Sequence, residues 1–350
     1  MNPSSPLVSA PVSRPAAFPR ESQTVGRLAP SPTGHLHLGH AFAFLVAWWS
    51  SRSAQGRVVL RIEDLDADRV DPAFVEQTIN DLRWLGLDWE GQPRLQSEGM
   101  ARTLASADRL HAQGRAYPCV CSRKDVERAQ LTTKESASPS SGASSELSAP
   151  QAGGRVRRYP GTCRGRYSSL ADAQRSTGRP AGLRFVCSPG EVEFVDERFG
   201  RQAFDVDAEA GDFLIVRRDN IPCYQLAVVA DDALDAVTEV VRGCDLLSST
   251  ARQLLLYRAL GSSPPSWLHL PLICDHRGQR LAKRSAALSL RQLRERGVSA
   301  EAIVGWAACA AGQRRSSASV AAREVAESFD RARLPDQNVI LPEDAQSLFA

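Results

Sequence analysis

No apolar run in these 350 residues approaches the roughly 20 that a membrane span needs, which excludes a membrane-inserted helix and predicts a chain with no membrane partner. The first 22 residues lack both a basic n-region and a sustained apolar h-region, and their Pro, Ser and Ala bias predicts a disordered leader, 1–22. Eight cysteines are too sparse and too unevenly spaced for a disulfide scaffold, and they point to a reduced, cytoplasmic setting in which some could bind metal. A formal net charge of +3 permits a polyanionic partner without demanding one. No repeat stands out at solenoid periods. With these classes set aside, 43% hydrophobic and 24% charged residues describe an ordinary globular composition, long enough for one large domain or two smaller ones.

The order of the elements narrows the fold. "TVGRLAP" reads as a short strand entering a Pro/Gly turn, and "AFAFLVAWWSSRSA" has the length and apolar density of a buried helix. "GRVVLRIEDLD" is a β-branched run suited to a parallel strand covered on both faces, and it ends in carboxylates. This βαβ opening predicts an α/β fold with a doubly wound parallel sheet. Asp71 is the expected N-cap and Pro72 the first residue of the next helix. From about residue 101 to 205 the pattern turns to short strand-like pieces, broken at 131–155 by a Ser/Ala/Gly/Pro-rich stretch expected to be a disordered surface insertion. Apolar runs resume on either side of the Asp219-Asn220 turn, and "SSTARQLLLYRALG" is a helix with Ser249 or Thr250 as cap and Gly261 as stop. The expected division has two halves of one domain, 23–100 and 206–270, around the insertion at 101–205. A loop and helical region at 271–312 and a polar, irregular tail at 313–350 follow.

The chemistry concentrates in "APSPTGHLHLGH". A strand ending here and opening into a helix aims backbone N–H groups and a positive helix end at an anion. Phosphate is the expected guest, yet neither the Walker nor the dinucleotide-binding glycine pattern is present. His37 and His40 fall on one face of the first turn and can donate to phosphate oxygens, while Gly39 lets a flat ligand approach the backbone. The alternative makes them cap and turn residues bonded to nearby carbonyls. Further along, Cys119 and Cys121 of "YPCVC" would point to the same side of an extended segment, as a zinc thiolate pair does, with Cys163 as a third thiolate. Three buried free cysteines are the alternative there. Cys187, Cys223, Cys244, Cys274 and Cys309 show no such pairing and read as packed.

"PSPTGHLHLGH" resembles the HIGH motif of the class I aminoacyl-tRNA synthetases, and "RLAPSPTG" with "LRIEDLD" resembles their glutamyl branch. The likeness continues through "FLIVRRDNIPCYQLAVVADD", "VVRGCDLLSSTARQLLLYRALG" and "WLHLPLICDHRGQRLAKRS", and so covers most of residues 26–290. It implies a Rossmann-type doubly wound parallel sheet, split by a zinc-containing α+β insertion and followed by a short helical region. It also implies an enzyme that forms glutamyl adenylate from L-glutamate and ATP, the latter carrying Mg2+. His37, His40 and Lys283 would be catalytic, and Pro30, Gly34 and Gly39 would join them around ATP. Arg27, Ser31, Tyr224 and Arg242 would line the glutamate pocket, with Glu63 on the ammonium group; a guanidinium is the natural carboxylate clamp. The KMSKS-like stretch "RLAKR" keeps Lys283 but carries Arg280, Ala282 and Arg284 in place of a lysine and two serines, so an altered, working loop is expected.

The stretch after Lys283 is expected to be too short for an anticodon-binding domain. Together with the C-x-C and Y-x3-C spacing, this resembles the glutamyl-Q tRNA(Asp) synthetase group, in which Tyr159 would join Cys119, Cys121 and Cys163 around one structural Zn2+. Members of that group activate glutamate without tRNA and esterify it to queuosine in the anticodon loop of tRNA(Asp), which makes that RNA the expected partner of a monomer. Two alternatives stand beside it: a short glutamyl-tRNA synthetase charging the tRNA 3′ end, and an inactive RNA-binding paralogue. Arg155, Arg157 and Arg158 could meet RNA phosphates or simply face solvent.

Overall fold

Val25–Leu28 is buried along its whole length, as a strand covered on both faces must be, and forms β1. The computed structural model describes residues 23–134, 158–281 and 288–349; the leader, most of the 131–155 stretch, Arg155, Arg157 and Lys283 lie outside the described residues. β1 runs through the Pro/Gly turn into α1 (Leu38–Ser53) and then β2 (Arg57–Ile62), which lies parallel to β1 with Arg27 opposite Val59. α1 presses on β1 closely enough that a Cβ on Gly26 would collide with Ser51 Oγ. α2 (Pro72–Trp84) begins at the expected cap, Asp71 accepting from Ala73 N at 2.9 Å, and β3 (Arg94–Leu95) pairs with β2.

The span 101–205 holds more helix than its sequence suggested. α3 (Met100–Ala112) buries Thr103, Ala107 and Leu110, a helical spacing that weak hydrophobicity hides from a reading by apolar runs. β4 (Ala116–Cys119) and α4 (Arg123–Lys134) follow, and α4 extends into the stretch expected to be disordered. α5 (Leu170–Thr177), β5 (Gly182–Phe185) and the hairpin of β6 (Glu191–Asp196) with β7 (Gly200–Asp205) complete the span.

After the short α6 (Val206–Glu209), β8 (Leu214–Val216) pairs with the edge of β5 and leads to α7 (Tyr224–Leu234). β9 (Glu239–Gly243), α8 (Leu247–Leu260) and β10 (Ser266–Leu270) then form a second parallel unit, with Arg242 opposite His269. The strand order is β7-β6-β10-β9, so the hairpin from the preceding span extends this sheet. β9 also runs beside β1, where Thr238 N donates to Val25 O at 2.9 Å. The carboxyl ends of β1, β2, β9 and β10 therefore gather at one crevice, the position at which open α/β sheets bind ligands. α8 starts at Leu247, not at Ser249 or Thr250, because a 3-10 turn over Cys244–Leu246 feeds directly into it; Gly261 stops it in the left-handed conformation as expected.

β11 (Ile273–Cys274), α9 (Leu290–Glu295) and α10 (Ala300–Ala310) lie beyond the sheet. The final stretch is built in rather than a polar, irregular tail. α11 (Ala322–Glu327) packs on α1, Trp49 Nε1 donating to Ala322 O at 3.0 Å, and β12 (Val339–Ile340) pairs in parallel with β11. Val320, Val325, Leu334 and Leu341 enter the same apolar core as α1. Short apolar groups set among polar residues leave no clear periodicity, and packing on α1 and its neighbours makes them core. Among the described residues, no helix is long and apolar enough to cross a membrane.

Candidate active site

The crevice encloses a pocket of about 160 Å³ whose wall includes Arg27, His37, Gly39, His40, Glu63, Tyr224 and Arg242. Seven expected site residues thus meet in space from four separate stretches of chain. Pro30, Ser31 and Gly34 lie in the turn between β1 and α1 and do not line the pocket: Pro30 O accepts from Glu63 N at 2.9 Å, and Ser31 Oγ lies 3.5 Å from Glu63 Oε2.

Capping and ligand-facing roles coexist in the histidines. His37 is the N-cap of α1 and its Nδ1 accepts from Gly39 N at 3.1 Å, while His40 Nδ1 accepts from His37 N at 3.3 Å. Their backbone partners in these caps are N–H donors, not the carbonyls anticipated. The two rings stack with centroids 3.8 Å apart. An accepting Nδ1 places the proton of a neutral imidazole on Nε2, so the caps set both rings as Nε2–H donors. No acidic residue occupies the first turn of α1, where it would offset the positive helix end. Gly39 makes room for this arrangement, since a Cβ there would sit 3.1 Å from His37 Cε1.

A buried charge network backs the pocket. Arg61, fully buried, donates to Asp232 at 2.6 Å and to Glu63 at 3.4 Å, and lies 3.9 Å from Asp231 and 3.7 Å from Asp235. Arg27 Nη1 donates to Val241 O at 3.1 Å, and its Nε, 3.8 Å from Asp232, makes no hydrogen bond among the described residues. Burial pulls Arg27 below its ordinary range and pushes Glu63 above the carboxylate range, although Arg61 and Arg27 act against the latter. Burial likewise raises Tyr224. Sequence reasoning missed Arg61; the available signal was an arginine set between Leu60 and Ile62 near the end of an apolar parallel strand.

Arg242 is more constrained than a free carboxylate clamp. Its Nε donates to His269 Nε2 at 3.1 Å, Nη1 to Gln253 Oε1 at 2.9 Å, and Nη2 to Thr250 Oγ1 at 2.8 Å and Leu246 O at 3.3 Å. Among the described residues these bonds engage four of the five N–H groups of the guanidinium. Thr250 and Ser249 serve here rather than as caps, Ser249 Oγ accepting from Gln225 at 3.1 Å. At the mouth of the pocket Arg280 pairs with Asp245 and Leu281 is buried.

The thiols of Cys119, Cys121 and Cys163 lie within 4.8 Å of one another and form a group that could hold a metal ion. Tyr159 joins them, its oxygen 3.3 Å from Cys119 Sγ and 3.6 Å from Cys121 Sγ, and accepts from Cys163 N at 2.9 Å. Hydrogen bonds from Cys121 and Cys163 lower Cys119, which Arg184 reinforces by donating to its sulfur at 3.2 Å. Arg184 also lies over the Tyr159 ring at 3.7 Å. Of the remaining cysteines, Cys187 and Cys274 are buried and Cys223, Cys244 and Cys309 half-buried, all free thiols. Arg158 is held to Asp207 at 3.0 Å.

The family model for tRNA synthetases class I (E and Q), catalytic domain, matches residues 23–343. A glutamyl-Q tRNA(Asp) synthetase of Nitratidesulfovibrio vulgaris is 41% identical over 327 residues, covering 91% of this chain and 96% of the relative. Its namesake in Symbiobacterium thermophilum is 44% identical over 325 residues, with coverages of 91% and 95%. Among solved structures, a glutamate tRNA ligase of Elizabethkingia meningosepticum in complex with its amino acid superposes with a TM-score of 0.76 at 22% identity, covering 93% of this chain and 68% of that one; this likeness shows a shared fold.

Proposed function

Because the chain belongs to the class I tRNA synthetases (E and Q), within the glutamyl-Q tRNA(Asp) synthetase group, we propose that this ligase-type enzyme activates L-glutamate with ATP without tRNA and transfers it to queuosine in the anticodon loop of tRNA(Asp). The observation that carries this reading is the near end-to-end match to two relatives of that name, which the chain covers to 96% and 95%. The pocket supplies groups suited to the first step. The glutamate α-carboxylate attacks the α-phosphorus of ATP, the bond to the bridging oxygen breaks, and diphosphate leaves. Nε2–H of His37 and His40, with the start of α1, answers the charge that grows on the phosphate oxygens. Mg2+ arrives on ATP, and Lys283 is assigned to the departing diphosphate. Glu63 takes the ammonium group, Arg27 and the remaining N–H of Arg242 supply the positive field for the side-chain carboxylate, and Tyr224 closes the pocket.

The acceptor is tested by reacting labelled glutamate, ATP and queuosine-containing tRNA(Asp), then digesting the RNA to nucleosides. Label is expected on the modified nucleoside. Recovery on the 3′-terminal adenosine would mean instead a short glutamyl-tRNA synthetase.

Cys119, Cys121, Cys163 and Tyr159 suit one structural Zn2+. Zinc–sulfur bonds of about 2.3 Å in a tetrahedron set donors roughly 3.8 Å apart, and Cys121 and Cys163 already stand 3.5 Å apart. Burial and the neighbouring Cys119 sulfur raise the Tyr159 phenol, and a divalent cation reverses that balance by stabilising the phenolate. Zinc would supply a cross-link joining the end of β4 to the segment carrying Tyr159 and Cys163. Elemental analysis of the purified protein should give about one zinc per chain, falling toward zero in Cys163→Ser with a lowered Tm. A folded parent protein free of zinc would rule the site out.

A further inference from the structure

Asp196, His269 and Arg242 occupy three neighbouring strands, β6, β10 and β9, and are linked in that order by hydrogen bonds whose direction the chemistry dictates. The Arg242 Nε–H can only donate, so His269 Nε2, 3.1 Å away, is the acceptor and carries no proton. The imidazole proton is therefore on Nδ1 and is given to Asp196 Oδ2 at 2.6 Å. Asp196 is itself anchored, Oδ1 accepting from Arg198 N at 3.0 Å and Phe199 N at 2.9 Å, and Oδ2 from His269 N at 3.1 Å. Neither side chain is exposed to solvent. We infer that Asp196 and His269 are positioning residues for amino-acid selection: Asp196 holds His269 in the Nδ1–H form, and that form alone accepts from Arg242 and aims its guanidinium at the pocket. The inference rests on the proposed role of Arg242 toward glutamate.

Mere packing does not account for the arrangement. An imidazole of the opposite tautomer, or an imidazolium, would set two donors face to face at Arg242 Nε. Burial lowers His269 to about 4, in keeping with a neutral ring at neutral pH. Neither Asp196 nor His269 lines the pocket, so neither is placed to touch substrate. Both act through Arg242, and the chain of bonds couples the pocket to the β6–β7 hairpin.

Imidazole 15N NMR of the histidine-labelled full chain, together with glutamate-dependent ATP–pyrophosphate exchange, tests this. In the parent protein the His269 signals should report a protonated Nδ1 and a bare Nε2. In Asp196→Asn the amide can donate to Nδ1 and favours the opposite tautomer, as loss of the orienting carboxylate does in a Ser-His-Asp triad. The KM for glutamate should then rise about 10- to 100-fold, the range for a hydrogen bond to a charged group, while the KM for ATP stays within about twofold. His269→Leu should match it. His269→Gln, whose side-chain oxygen can accept from Arg242, should stay within a few-fold of the parent. A parent His269 protonated on Nε2 overturns the inference, and that reading does not depend on any variant folding. So does an unchanged glutamate KM in both Asp196→Asn and His269→Leu when Arg242→Ala raises it. An Arg242→Ala enzyme with an unchanged glutamate KM instead overturns the proposed role of Arg242, and the positioning role with it, even with the parent tautomer as drawn.

Discussion

Replacing His40 by asparagine is expected to lower the rate of glutamate-dependent ATP–pyrophosphate exchange by about 10² to 10³ at saturating substrates, the usual effect of removing one aimed donor from a developing oxyanion. Thermal unfolding should stay close to that of the parent. The asparagine side-chain oxygen sits where Nδ1 sits in histidine and can still accept from His37 N, a bond of 3.3 Å, so the start of α1 keeps its cap. What disappears is Nε2–H. His40→Ala removes both and should add a loss of about 1 kcal/mol of stability to the same loss of rate. His37→Asn should behave like His40→Asn, asparagine being a favoured N-cap residue. Parent-like kcat in the asparagine variants, with only the alanine variants impaired, would assign the histidines to capping alone.

Arg61→Met should destabilise the fold by about 3–5 kcal/mol, the cost of leaving buried charges without their partner. Asp232 loses a bond of 2.6 Å, Glu63 one of 3.4 Å, and Asp231 and Asp235 lose a cation within 4 Å. Among the described residues Arg27 forms an ion pair within 4 Å with Asp232 alone, at 3.8 Å, and Arg94 with Asp231 and Asp235, so neither reaches all the carboxylates that Arg61 holds. Urea unfolding followed by circular dichroism measures the loss. Asp232→Asn added to Arg61→Met should recover part of it, because one of the stranded charges is then gone. A Cm unchanged from the parent would show that the network is not held by Arg61. Any surviving folded fraction should also bind glutamate poorly, since Glu63 would be charged less readily without the guanidinium beside it.

Elements that announced themselves early were those whose signals are local. The buried run of β1, the Asp71-Pro72 start of α2 and the Gly261 stop of α8 each depend on neighbours a few residues away, and each stands where expected. Where the expectations went astray, the deciding partner was distant. Ser249 and Thr250 looked like caps because their hydroxyls are good local acceptors; Gln225 and Arg242 claim those hydroxyls instead. The last segment looked like a tail because its apolar residues, such as Val320, Val325 and Leu341, fall in short groups among polar ones, and the core built around α1 receives them in space.

The sequence by itself determined which residue types would gather: two histidines three apart at a helix start, arginines and a glutamate at strand ends, and three cysteines with a tyrosine. It did so because turn, cap and strand preferences act over a few bonds of chain, and because a motif is a record of spacing. Only the tertiary structure decided how those groups are set. The proton on His269 depends on Asp196, 73 residues away, and the aim of Arg242 depends on His269, 27 residues away. Tautomer, guanidinium orientation and carboxyl basicity are properties of partners and of burial, and both arise only when β6, β10, β9 and β1 lie side by side.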